Sequence, residues 1–362
     1  MAARRKKTQS GSSAGQARNR RSAGGKRRFP GLSRRAYEHP ADRAAFSALR
    51  NVPGFDFVVR KMLGMLNDRA IRLQWLGNGV RVGPEQFPKV HELYGEALEV
   101  LDLEPAPELY VTQRPEVNAM AMGFDRPVVV LNSASLGLFD EQELQFVLAH
   151  ELGHVLSGHV TYRTVLFFLL RLPAPARLPL QLLLAAAFEW IRKSELSADR
   201  AGLLAAQDPE VARRVCMKLA GGSRTDQMSA AEFEAQAEEY RAGGNIVDSL
   251  LKLLSLVWVS HPFPVLRLAE LNKWIESGEY AAILAGDYAR RDDDRSVSVL
   301  DEIAESTRAY QRDLDLSPDP LVRAVKEMGK TALAVGDSLL DLFRVPEADD
   351  DAESDKRGPR PG

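Results

Sequence analysis

His150-Glu151-Leu152-Gly153-His154 is the stretch that decides how this chain is read. On a helix, residues four apart stand about 40° apart around the axis, so both imidazoles leave one face and can grip one metal ion. Glu151 then stands beside that metal. The chemistry suited to this spacing is hydrolysis: His150 and His154 bind Zn²⁺, and Glu151 takes a proton from the water that attacks a peptide carbonyl. The pentapeptide is short and arises by accident in on the order of one chain in a hundred of this length, so its surroundings must carry the rest. Asp140 followed by Glu143 has the form of a capping box, and Leu144, Leu148, Leu152 and Val155 make an apolar stripe that runs up to Ser157-Gly158. The pattern predicts a helix that buries its stripe and turns His150, Glu151 and His154 toward a cleft.

A catalytic zinc takes three protein ligands plus water, so a third ligand is required. The pattern His-Glu-x-x-His-x-x-Gly-x-x-His would need Gly and His where this chain has Ser157 and Val160. His159 is close by, but five residues beyond His154 it points away from the metal face if the helix continues, and it reads as a polar residue past the helix end. Ser194-Glu195-Leu196-Ser197-Ala198-Asp199-Arg200 offers a better donor. Glu195 and Asp199 share one helical face, and Ala198 is small enough to admit a neighbouring helix. Alone, the pair reads as a solvated acidic face. Beside the histidine motif, Glu195 becomes the third ligand and Asp199 the group that holds a ligand histidine by its other ring nitrogen.

These segments, with Asn118-Ala119 and Gly123 upstream and His261-Pro262 and Arg267 downstream, resemble the zinc metallopeptidases that include the CaaX prenyl proteases and the HtpX-type quality-control proteases. The likeness runs over about residues 81–267 with the segments in the family's order. It implies a predominantly helical α+β fold of the gluzincin, zincin-like kind, with a small sheet beside the active-site helix whose edge strand holds substrate backbone. It further implies that His261 donates to the oxyanion of the tetrahedral intermediate and that Arg267 pairs with Asp199 or substrate. Taken alone, His261 is a loop histidine before a proline.

The residues between support this picture. Glu108–Thr112 and residues 127–131 are short β-branched runs bounded by Pro, Asn and Gly, and so read as strands. A strand edge at Asn118 and Ala119 could pair with an extended peptide; Asn118 reads equally as a turn residue in a hairpin.

The chain has 362 residues, 45% hydrophobic, enough for one large domain with appendages. Its net charge of −2 conceals a basic, acid-free first 35 residues and an acidic stretch at 347–355. The predicted organisation is a disordered basic tail (1–36), a zinc metallopeptidase domain (41–292), a helical extension (296–344) and a disordered acidic tail (345–362). Within the domain, helices are expected at 41–66, 88–100, 209–219, 230–241, 247–257 and 264–277. No aromatic residue precedes Phe29 to stack on bases, and no nucleic-acid partner is expected. Cys216 is the single cysteine, which excludes an internal disulfide and fits a reducing compartment. No apolar segment follows the basic N-terminus to make a secretory signal. Residues 164–191 are apolar, but Arg171, Pro173, Pro175, Arg177 and Pro179 interrupt them, so a buried helical hairpin or an interfacial segment is expected rather than a span.

Together these readings give a cytoplasmic endopeptidase with one Zn²⁺ per chain, acting on proteins or peptides and open to peripheral membrane contact, with a role in protein quality control implied by the resemblance. The alternatives are an inactive zinc-stabilised binding protein or holdase, against which Glu151 speaks, and a membrane-embedded protease.

Overall fold

A computed structural model of the chain describes residues 21–22, 25–173, 177, 180–242 and 263–296. Three helices lead in: α1 (Pro40–Arg50), α2 (Phe55–Met65) and α3 (Asp68–Asn78). The expected helix over 41–66 is thus two, broken where Gly54 takes a positive φ of 83°, and α3 was not anticipated. After β1 (Val80–Arg81) come α4 (Pro88–Leu101), β2 (Glu108–Thr112), β3 (Ala119–Met122), β4 (Val128–Asn132) and the short α5 (Ser133–Leu138). The helices α6 (Glu141–Leu156), α7 (His159–Leu169), α8 (Gln181–Ala206), α9 (Pro209–Gly221), α10 (Ala230–Ala242), α11 (Pro264–Glu276) and α12 (Glu279–Ala285) follow. The helix expected at 247–257, His261, the extension beyond Ser296 and the acidic tail lie outside the described residues.

The four strands form one sheet in the order β1-β2-β4-β3, parallel between β2 and β4 and antiparallel elsewhere. β4 is Val-Val-Val-Leu-Asn with every residue buried, as a strand covered on both faces must be. Leu109, Val111, Val129 and Leu131 face the main core with α4 and α6, while Tyr110, Val128 and Val130 meet Ile71 and Trp75 of α3. β3 stands at the sheet edge, in register Ala119 to Leu131 and Met122 to Val128. Its turn into β4 is pinned by α3: the Asp68 carboxylate accepts from the backbone N–H groups of Phe124, Asp125 and Arg126 at 2.7–3.0 Å.

Of the hairpin expected over 164–191, the described arms α7 and α8 pack against each other. Val165, Leu166, Leu169, Leu183 and Trp190 pack on Leu49, Phe55, Val58 and Met62 of the lead-in helices. Among the described residues no helix is long and apolar enough to cross a membrane.

The disordered tail expected over 1–36 is corrected for its second half. Phe29 and Leu32 are fully buried, and the arginines around them close helix C-termini. Phe29 N–H donates to Val100 O at 2.9 Å, Arg28 donates to Glu99 O, Arg34 to Ser157 O, and Arg27 to Leu284 O. Cations beside orphan carbonyls at helix ends are favourable, and composition alone does not reveal that such partners exist. The folded domain therefore begins well before residue 41.

α6 and α8 make the closest helix pair. A Cβ on Gly153 would lie 2.6 Å from Ala201 Cβ and 3.3 Å from Ala198 Cα, and one on Gly202 would lie 3.0 Å from the Phe146 ring. The Gly153→Ala change would gain about 1 kcal/mol of helix propensity. The overpacking it forces, against a methyl and a backbone atom that cannot rotate away, costs about 1–3 kcal/mol and wins. Gly153→Ala is therefore expected to lower the thermal midpoint, and Gly153→Ala with Ala201→Gly to recover most of the loss; a single mutant as stable as the parent in thermal unfolding would contradict this contact.

Candidate active site

Asp140 caps α6 as expected, its side chain accepting from Glu143 N–H while Glu143 accepts from Asp140 N–H, both at 2.9 Å. The amphipathic picture of α6 needs correction. Residues 143–154 are all buried, so the helix has no solvent face, and its polar side looks onto α8 instead.

There the sequence-predicted residues meet. His150 Nε2 lies 3.4 Å from Glu195 Oε2, and His154 Nε2 lies 3.3 Å from Glu195 Oε1, with the three side chains 0–3% exposed. One ligand atom from each of the three falls within 4.8 Å of the others, a donor set of two imidazoles and a carboxylate that fits a single Zn²⁺. Behind His150, Nδ1 lies 3.0 Å from Asp199 Oδ1, and Arg267 Nε donates to Asp199 Oδ2 at 2.7 Å. Arg267 thus pairs with Asp199, one of its two expected partners. The Glu151 carboxylate is 1% exposed, and neither of its oxygens has a hydrogen-bond partner among the described residues. A buried carboxylate left in that condition is costly unless the site supplies a partner when loaded.

The electrostatics separate the two histidines. Burial disfavours the imidazolium of His150, but the Asp199 and Glu195 carboxylates outweigh it and raise the group to about 9. His154 is held well below the usual histidine range by burial and by the Arg163 guanidinium. Asp199 is burdened by burial, yet Arg267 and His150 hold its carboxyl below the ordinary value. Glu195 lies between two cations, with Arg163 donating to Oε1 at 2.7 Å and Arg267 Nη1 at 3.4 Å from Oε2. Cys216 is buried, which pushes its thiol up to about 12 and keeps it protonated.

A small cleft opens beside His150 and Arg267, walled by Asn118 and Ala119 of the sheet edge and by Phe139, Val147 and Val215. Asn118 itself is occupied: its N–H donates to Ser135 Oγ and its C=O accepts from Asn132 N–H, each at 3.0 Å. Since main-chain groups alternate sides along a strand, the outward-facing pairs belong to Ala119 and Ala121.

Sequence reasoning missed three contributors. Arg163 is one, placed four residues after His159 on α7. The others are His159 and Asp42. His159 is buried at the start of α7, with Nδ1 3.0 Å from His154 Nδ1 and Nε2 3.0 Å from Asp42 Oδ2. It was expected past the helix end, and Gly158, at φ +74°, does end α6; what was not expected is that α7 starts at once and brings the ring back against His154.

The model of peptidase family M48 matches residues 84–275. The chain is 36% identical over 265 residues to the Plastoglobule-localized metallopeptidase 48, chloroplastic, of Arabidopsis thaliana, covering 71% of this chain and 77% of that one. It is 39% identical over 69 residues to a Protease HtpX homolog of Helicobacter pylori, which is 18% of this chain and 22% of that protein. With the Protease HtpX homolog of Dictyoglomus thermophilum it shares 37% identity over 83 residues, 22% and 27% of the two. No solved structure matches. The mostly helical frame with its small sheet is the zincin-like metallopeptidase fold. With the family match running over more than half of its length, the chain belongs to peptidase family M48 and is a metallopeptidase of the HtpX type.

Proposed function

We propose that the chain is a zinc-dependent endopeptidase in which His150, His154 and Glu195 hold one Zn²⁺ and Glu151 is the general base. The observation that carries this reading is the Glu151 carboxylate, buried, without a hydrogen-bond partner among the described residues, and one residue from a ligand histidine. A purely structural metal site has no use for it. The bound ion would supply Lewis acidity toward the scissile carbonyl and its attacking water. Glu151 accepts the water's proton and returns it to the leaving amine. Asp199, itself fixed by Arg267, keeps the proton of His150 on Nδ1 and so leaves Nε2 free to bind. An extended substrate adds to the edge of β3 through Ala119 and Ala121, with Asn118 contributing only its side chain. His261 is retained as the donor to the oxyanion on the strength of the family likeness, and quality control of proteins as the setting on the same ground.

Three outcomes test the assignments. Glu151→Gln should keep the metal content of the parent and lose about 10²–10⁴-fold in kcat on an unfolded protein substrate, because an amide cannot take the proton; a mutant of parental activity would remove the mechanism. Glu195→Ala should lose zinc on dialysis that leaves the parent loaded. Asp199→Asn should weaken zinc binding by about 10- to 100-fold, read by competition with a chelator. Full metal retention by Glu195→Ala would mean that the third ligand lies elsewhere.

A further inference from the structure

The two histidines of α6 are backed by different groups. His150 meets a carboxylate directly. His154 meets another imidazole, His159, and only beyond it the carboxylate of Asp42, in a line of two 3.0 Å contacts. All three side chains are at most 5% exposed. Asp42 is fixed from two further sides: Trp190 Nε1 donates to Oδ1 at 3.0 Å and Ser197 Oγ donates to Oδ2 at 2.5 Å. The line gathers its members from α1, α6 and α7 and is fastened to α8 by Trp190 and Ser197.

One requirement settles which atom donates at each step. If His154 offers the Nε2 lone pair to a metal, its proton must be on Nδ1, and His159 Nδ1 must accept. The single proton of a neutral His159 is then on Nε2, where it donates to Asp42. An ionised carboxylate has no proton to give, so it orients the whole line in one direction. The opposite orientation would place a proton on His154 Nε2 and block the ligand atom.

We propose that His159 and Asp42 are positioning residues for the metal site, setting the tautomer and ring plane of His154 as Asp199 does for His150. This rests on the reading of His150, His154 and Glu195 as ligands. Glu38, Asp42 and His159 also bring ligand atoms within 4.8 Å of one another, a spacing that a second cation could use. The relay is favoured because Asp42 already receives two donors, Trp190 Nε1 and Ser197 Oγ, and His159 Nδ1 lies 3.0 Å from His154 Nδ1.

The test uses the zinc-loaded full chain, labelled with ¹⁵N-histidine, in which only six histidines must be resolved. His159 is expected to be neutral with its proton on Nε2; a proton on Nδ1, or on both nitrogens, overturns the proposal. Zinc affinity, read by chelator competition, should fall by about 10- to 100-fold in His159→Leu. His159→Asn should recover most of that loss, because its side-chain oxygen stands where Nδ1 stood and can accept from His154. Leu169→Ala disturbs the same core but makes no hydrogen bond to the line, so it should lower the thermal midpoint and shift zinc affinity by less than about threefold. A Leu variant that binds zinc like the parent, or an Asn variant no better than Leu, overturns the positioning role. So does a second zinc per chain that disappears in Asp42→Asn, since the group would then be a ligand set. If His159→Leu does not fold, the labelled parent decides alone. A parent that binds no zinc removes the ligand reading and this proposal together, whereas a zinc-binding parent with the wrong His159 tautomer removes this proposal only.

Discussion

Everything at the centre of this molecule depends on how near two helices can come. His150 and His154 ride on α6 and Glu195 on α8, and the proposed ligand atoms converge because Gly153 faces Ala198 and Ala201 where larger residues would hold the axes apart. Gly202 does the same service against the Phe146 ring. The glycine inside the His-Glu-Leu-Gly-His motif is thus a packing residue, lying between the two proposed metal ligands and on a different side of the helix.

That proximity creates an electrostatic problem which the surrounding helices solve. Four carboxylates (Asp42, Glu151, Glu195 and Asp199), His150, His154, His159, Arg163 and Arg267 sit in or near the interior around α6 and α8, where an unpaired charge would be costly. The acids are shared out: Asp199 and Glu195 between Arg267 and Arg163, Asp42 among His159, Trp190 and Ser197. Glu151 stands outside this scheme of mutual satisfaction. Both oxygens of its buried carboxylate lack a hydrogen-bond partner among the described residues.

The sequence made the core of this legible because the relevant spacing is local. Two histidines four apart, a capping box ahead of them, and a glutamate and aspartate four apart on a later helix are each visible within a single turn or two. What escaped was set by long-range partners or by a change of phase. His159 was misjudged because α7 starts directly after a positive-φ glycine, and Asp42 lies more than a hundred residues upstream in a helix with no motif of its own. The basic arm was misjudged because composition counts charges but does not show the carbonyls they will meet. α3 was missed although its Asp68 holds the turn that shapes the sheet edge. Asn118 read equally as a turn residue and as part of a strand edge, and local spacing does not show that its N–H meets Ser135 and its C=O meets Asn132.

The arm has a consequence for what counts as the enzyme. Arg27, Arg28 and Arg34 tie down the ends of three different helices, α12, α4 and α6, and Ser33 reaches Asp294 near the last described residues. The two extremities of the described chain are stitched together across the domain. The interval matched by the family model, 84–275, contains His150, His154, Glu195 and Asp199 but neither this stitching nor Asp42. A fragment trimmed to that interval would keep every proposed ligand while discarding the clasp that keeps the helices bearing them in place.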